Sequence, residues 1–312
     1  MTHWQSNSPG LSARLEELAG VFLLCRDALH EIADAYHWAP APGSPSAQDA
    51  AALPSPDPQI PSPQGETGHR LIAEIVQSFL LTASGHLGGL ASLYLSGEIA
   101  FSPPLLVRAV IENCAHAIWV LGEDGEDAEN RLARCYLEER KSAEEAKKNS
   151  GYMHGKTASS HAHAADVYKE IQRQTLARFP NTSMEALGKY ELHGQKLPRI
   201  EDSVKDMYAL TEAAGGNITP KQATGIYGLL SNMTHPTLYP ARQRRGWFSD
   251  PEHGHRVAYL HIEIGPTEQE ARAAIAAFYN ALTYTTSYFG WPTTIIDTLE
   301  TKIEAVIPTF FR

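Results

Sequence analysis

The sequence predicts an all-α protein: a multi-helix bundle preceded by an N-terminal docking helix and a Pro-rich linker. Three observations carry that expectation. Apolar residues recur at helical spacing through most of the 312 residues. Start and stop signals (Ser102-Pro103, Thr219-Pro220, Gly122, Gly215-Gly216) fall at the ends of those runs. The single strand-like alternation, RVAYLHIEIG, finds no second strand to pair with and is read as an extended segment.

Three regions follow along the chain. Residues 1–38 hold an amphipathic helix from Leu11 to Trp38, with Leu15, Leu18, Phe22, Cys25 and Leu29 on one side. It cannot bury that stripe alone, so it docks on the bundle or on a second copy, the latter giving a homodimer. Residues 39–66 carry eight of the twenty prolines and few large apolar side chains, and read as a surface linker.

Residues 67–312 form the bundle. A long helix containing Gly85 to Gly89 comes first, its glycines allowing a bend or close packing. Ser102 to Gly122 is the most apolar helix, with Ser102 as its cap and Pro103 in the first turn. A charged helix follows in AENRLARCYLEERKSAEEAKKN, then a polar break over Gly151 to Ser160 and a helix from His161 to Phe179. Thr182 and Glu185 have capping-box spacing for a short helix, and GQKLP reads as a loop. Ile200 to Ala214 is helical, and Thr219-Pro220 opens a helix that Pro236 ends. Thr267 and Glu270 have capping-box spacing for a long helix, and Thr294 to Phe311 supplies the last one.

The net charge of −10 argues against a general binder of phosphate backbones, although Arg242, Arg244 and Arg245 make a local basic cluster. Three widely spaced cysteines fit reduced core thiols and a cytoplasmic location. No basic leader precedes an apolar run at the start, and no uninterrupted apolar stretch reaches about 18 residues, so no membrane association is expected.

Charged residues inside apolar helices nominate a site, because an unpaired buried charge costs several kcal/mol. Arg108, Glu112 and His116 lie four apart on one stripe of the Ser102–Gly122 helix. Tyr227, Ser231 and His235 repeat that spacing on a second apolar helix, with His235 at its C-terminus, where the dipole favours a protonated imidazole. Arg131, Arg134 and Glu138 share a face of the charged helix. If the three helices pack together, Arg108, Glu112, Arg131, Tyr227, Ser231 and His235 line one pocket suited to an anion, with His and Tyr as proton carriers. The alternative is structural: Arg108 pairs with Glu112, and Ser231 bonds back to its own helix. A metal reading takes Glu112, His116, His86 and His235 as ligands on facing helices, but a second Glu-His copy is missing. The remaining histidines, including His253 and His255, have no closed zinc pattern.

The stretch from His86 to about Lys148, together with YGLLSNMTHPT, resembles a class of uncharacterised bacterial, largely actinobacterial, helical proteins. They carry an Arg-x-x-x-Glu helix, a following Arg-containing helix and a later Tyr…Ser…His helix. That class in turn is distantly similar to the HEPN superfamily, whose active members are metal-independent ribonucleases with an Arg, four to six residues, then His. Asn232 and His235 resemble the polar residue and the His of that motif, while Leu or Ser stands at its Arg position. The resemblance implies an RNA or phosphate-bearing small ligand and no cofactor. It carries over Asn232 and His235, with Arg108 or Arg131 supplying the guanidinium from another helix; the pocket reading adds Tyr227 to the catalytic candidates and Glu112, Arg134 and Ser231 to the ligand-binding ones. A non-catalytic binding or assembly protein with a structural Arg-Glu-His network is the other expectation.

Overall fold

The computed structural model describes residues 10–123, 125–213, 215–216, 218–235, 238–249, 254 and 256–311. Pro236, His253 and His255, singled out in the sequence, lie outside the described residues. The fold is all-α: the described residues form twelve helices and two short antiparallel hairpins.

At the centre is α4 (Pro103–Leu121), packed against α3 (His69–Ser96), α8 (Ile200–Ala213), α9 (Pro220–Thr234) and α11 (Ile264–Phe289). Its buried residues, Val107, Val110, Ile111, Cys114 and Ala115 among them, cover most of the helix because its sequence is largely apolar, while Leu105, Arg108, Glu112 and His116 leave one stripe partly exposed. By length and composition α4 could cross a membrane, and 56% of that stretch is buried inside this protein. Pro103 and Pro104 start it, but the Ser102 side chain makes no capping bond. Gly122 ends it with φ +73°, and a Cβ there would lie 2.2 Å from Arg134 Nη1. Glycine thus serves both the turn and the approach of the guanidinium.

The N-terminal helix α1 (Leu11–Tyr36) docks its apolar stripe on α3, α11 and α12 (Thr294–Val306) of its own chain. Arg14 fixes the junction, donating to Glu268 at 2.8 Å and to the Val306 carbonyl at 2.9 Å. On α3, Gly88 passes Arg26 and Gly89 passes Leu106 in close packing inside an unbroken helix. Cys25, Cys114 and Cys135 are free and buried, and burial pushes the Cys25 thiol up to about 12.

Several local expectations change. The passage over 39–66 contains α2 (Pro45–Ala52), capped by Ser44 and started by Pro45, and Leu53 and Ile60 reach the core. It is a packed strap, not a surface linker, because Asp49 and Ser46 find polar partners inside. Asp49 accepts from both Arg131 Nη1 (3.0 and 3.1 Å) and Tyr288 (2.8 Å), and Ser46 meets His69 Nε2 at 2.8 Å. Gly68 accommodates the strap, since a Cβ there would lie 2.2 Å from the Pro54 carbonyl oxygen. RVAYL is not unpaired: β4 (Arg256–Leu260) pairs with β3 (Arg245–Ser249), whose Gly and exposed polar residues hide its strand pattern. The expected GQKLP loop supplies a strand instead: its Gln195 and Lys196 form β2 (Gln195–Lys196), which pairs with β1 (Glu191–Leu192) across a turn at His193-Gly194. Ser183, one residue after the expected cap, caps α7 (Met184–Gly188). The long helix α11 begins before Thr267, whose hydroxyl instead donates to the Glu263 carbonyl. The charged helix α5 (Ala128–His154) runs into the expected polar break, and α6 (Ser159–Arg178) packs beside it.

The Asp49–Arg131 pair is almost fully removed from water, with both side chains 5% exposed. Removing one partner leaves the other charge buried alone, so Asp49→Ala should cost about 3–5 kcal/mol in urea denaturation. The double change Asp49→Leu with Arg131→Met should recover much of that loss, since apolar groups replace both charges.

Candidate functional site

The elements bring together three of the nominated residues. Arg108 and Glu112 stand one turn apart on α4, facing Tyr227 on α9. Arg108 Nε donates to Glu112 at 2.6 Å, Nη1 to Thr234 Oγ1 at 2.7 Å, and Nη2 to the Tyr227 hydroxyl at 2.9 Å. The Tyr227 hydroxyl donates in turn to the same Glu112 oxygen at 2.7 Å. All three nitrogens of the guanidinium therefore have protein acceptors, and the ring of Tyr227 lies 5.1 Å from its carbon. Burial, joined by the bond to Glu112, holds the Tyr227 phenol well above its ordinary value. At neutral pH it is a proton donor to Glu112 and not a base. Burial is the largest single influence on Arg108 and opposes its charge, but the bonds and charges of Glu112 and Tyr227 together outweigh it and raise its pKa.

The other residues of the expected pocket go elsewhere. Arg131 is committed to Asp49 and, through Nε, to the Leu121 carbonyl at 2.7 Å. Arg134 donates to the Trp119 carbonyl at 3.0 Å, to Gln195 at 2.8 Å, and to Glu126. Both therefore serve the C-terminal carbonyls of α4, which its own helix leaves without donors. Arg134 also borders a cavity of about 300 Å³ with Glu123, Glu126 and Asp206. His116 pairs with Glu138 on α5 and stacks on Phe79, separate from the Arg108 contacts.

His235 is exposed at the end of α9, and Asn232 is exposed on the same helix. Ser231 lies with Tyr227 beside a small cavity of about 170 Å³, and its carbonyl accepts from Thr234. One pocket shared by Arg108, Arg131, Tyr227 and His235 is thus not formed, because each arginine is drawn to a different set of acceptors. Among the described residues no group of three or more His, Cys, Asp and Glu side chains lies close enough to hold a metal ion.

Sequence reasoning missed Asp49, Glu126, Thr234 and Tyr288 as partners. Only Asp49 had a local signal, since Ser44-Pro45 followed by an Ala-rich run is a helix start. The rest are recognisable only once the helices are packed.

Two further carboxyls, Glu139 and Glu270, are strongly raised by burial. Burial, with Glu74 nearby, pushes Glu139 up to about 7 from 4.5. A raised acid pKa favours the folded state below the unfolded value, and that contribution is lost as pH rises through about 7. Glu139→Gln should therefore stabilise the protein by about 3 kcal/mol at pH 8 and leave it unchanged at pH 4, as read from denaturant midpoints. No family model, no curated protein and no solved structure matches the chain.

Proposed function

We propose that the chain works by binding or assembly without catalysis, and that its arginine networks are ties between helices. The observation supporting this reading is the internal bonding of Arg108: its three nitrogens and the Tyr227 hydroxyl are all engaged within the protein. Three of the five N–H groups of this guanidinium are already engaged, which weakens its hold on an incoming phosphate, and among the described residues no nominated arginine has a hydrogen bond to the exposed His235. The reading treats Arg131 and Arg134 likewise, as caps for the buried end of α4.

The experiment joins melts to an RNA assay. Arg108→Ala and Glu112→Ala should each lower stability by about 1–3 kcal/mol, because each leaves a partly buried charge without its partner. Purified protein should leave diverse RNAs intact with and without added metal. Metal-independent cleavage abolished by His235→Ala would overturn the reading in favour of a HEPN-like ribonuclease.

A second reading, RNA held without cleavage, is favoured by the β3–β4 hairpin. Trp247 is 45% exposed there, with the Arg245 and Arg256 guanidinium carbons 4.5 and 5.4 Å from its ring. An exposed ring flanked by cations is a stacking platform for unpaired bases. Arg244 anchors the platform by donating to Glu270 at 2.6 Å and to the Ile99 carbonyl at 3.0 Å. On this reading single-stranded RNA quenches tryptophan fluorescence in a salt-dependent way, and Trp247→Ala weakens binding by about 1–3 kcal/mol. Unchanged fluorescence at low salt would remove it.

A further inference from the structure

A cavity suited to a small ligand is lined by none of the nominated residues. A cavity of about 620 Å³ opens between the outer face of α11, the end of α8, the flank of α9 and the C-terminal residues. That size is in the range of small-molecule sites. The wall repeats at helical spacing along α11: Gln269, Arg272 and Ala273, Ala276, Asn280, Thr283 and Tyr284. Alanines at 273 and 276 keep the floor low, and Tyr279, Phe310 and Phe311 surround it with aromatic surface. Tyr279 and Phe311 are in ring contact at 4.7 Å, and Phe310 and Phe311 at 4.8 Å.

The charge of the lining is one-sided. Arg272 is its one ionisable cation among the described residues, and no Asp or Glu lines it. Arg272 uses Nε and Nη2 on Glu268, at 3.0 and 2.9 Å, which leaves Nη1 without a carboxylate partner among the described residues. Its guanidinium carbon lies 5.8 Å from the Phe310 ring. The same Glu268 is also held by Arg14, so two guanidinium groups share one carboxylate at the rim. A larger cleft of about 880 Å³ near Phe179 and His193 lacks this combination, because its Arg178 is bound to both Asp57 and Glu129.

We propose that this cavity binds a small planar apolar carboxylate, with its ring against Tyr279, Phe310 and Phe311 and its carboxylate on Arg272. The assignment rests on the reading of the chain as a binding protein. Apolar surface supplies the affinity, and the lone cation selects an anionic end group over a neutral one.

The test titrates the full chain with 2-naphthoate, and in parallel with the neutral 2-naphthylmethanol, by isothermal calorimetry. Saturable one-to-one binding of 2-naphthoate is expected, at least about tenfold tighter than that of the alcohol. Arg272→Gln should remove that preference while leaving the alcohol's affinity unchanged. Ala276→Phe should fill the cavity and weaken both probes by about tenfold or more, and Asn280→Trp does the same from the other end of the wall if Ala276→Phe fails to fold. Circular-dichroism melts identify which variants are folded. No saturable binding by the wild type up to roughly 1 mM, equal binding of the two probes, or undiminished binding by a folded cavity-filling variant would each overturn the assignment. Failure here leaves the proposal of a non-catalytic protein standing, whereas RNA cleavage dependent on His235 would overturn that proposal with the cavity still to be titrated on its own.

Discussion

The fold depends on ending an apolar helix inside the protein. α4 gains stability by burying most of its circumference, and the carbonyls of its last turn have no donors within the helix. Arg131 and Arg134 solve this from α5, donating to the carbonyls of Leu121 and Trp119. Each guanidinium brings a new requirement, because its charge is also withdrawn from water. Asp49 answers the first and Glu126 the second. The strap over 39–66 is therefore drawn into the interior by a charge whose presence traces back to the end of α4. The chain of consequences runs from backbone to cation to carboxylate, and it decides where α2 sits.

The same logic governs the other face of α4. Arg108 and Glu112 break the apolar surface at the place where α9 packs, and Tyr227 and Thr234 complete the contact. A polar cluster whose members bond mainly to one another specifies helix pairing, and it leaves fewer donors for a ligand. The space around α11 has the opposite character: apolar walls, a rim cation and room. Binding capacity and charge-rich sequence motifs thus fall in different parts of this molecule.

The helices are legible in the sequence because their apolar period, prolines and glycines are local signals. Gly122, Pro103 and the Thr219–Gln222 capping box act at the positions their chemistry suggests. The Arg108–Glu112 pair is legible for the same reason, since helical geometry alone sets residues four apart side by side. Asp49 is not, because a Pro- and Ala-rich composition describes chain stiffness and hydropathy but not a buried ion pair formed with α5. The β3–β4 hairpin escapes notice because RGWFS lacks alternation, and its pairing is visible only from the partner strand. His235 shows the limit of spacing: a residue can share a stripe with Tyr227 and still emerge into solvent where the helix stops.

The Arg14 contacts have a bearing on how this chain is made. Arg14 meets Glu268 and the Val306 carbonyl, residues separated from it by most of the polypeptide. Tyr94 likewise donates to the Thr267 carbonyl, and Tyr288 to Asp49. During synthesis α1 emerges before its partners, and only α3 is at hand to cover its stripe until α11 and α12 follow. The nascent protein must carry an incompletely covered apolar helix until α11 and α12 have been made, a period in which chaperones and neighbouring chains compete for that surface. Interlocking the two ends ties the folded bundle together at the expense of a long exposed interval on the ribosome.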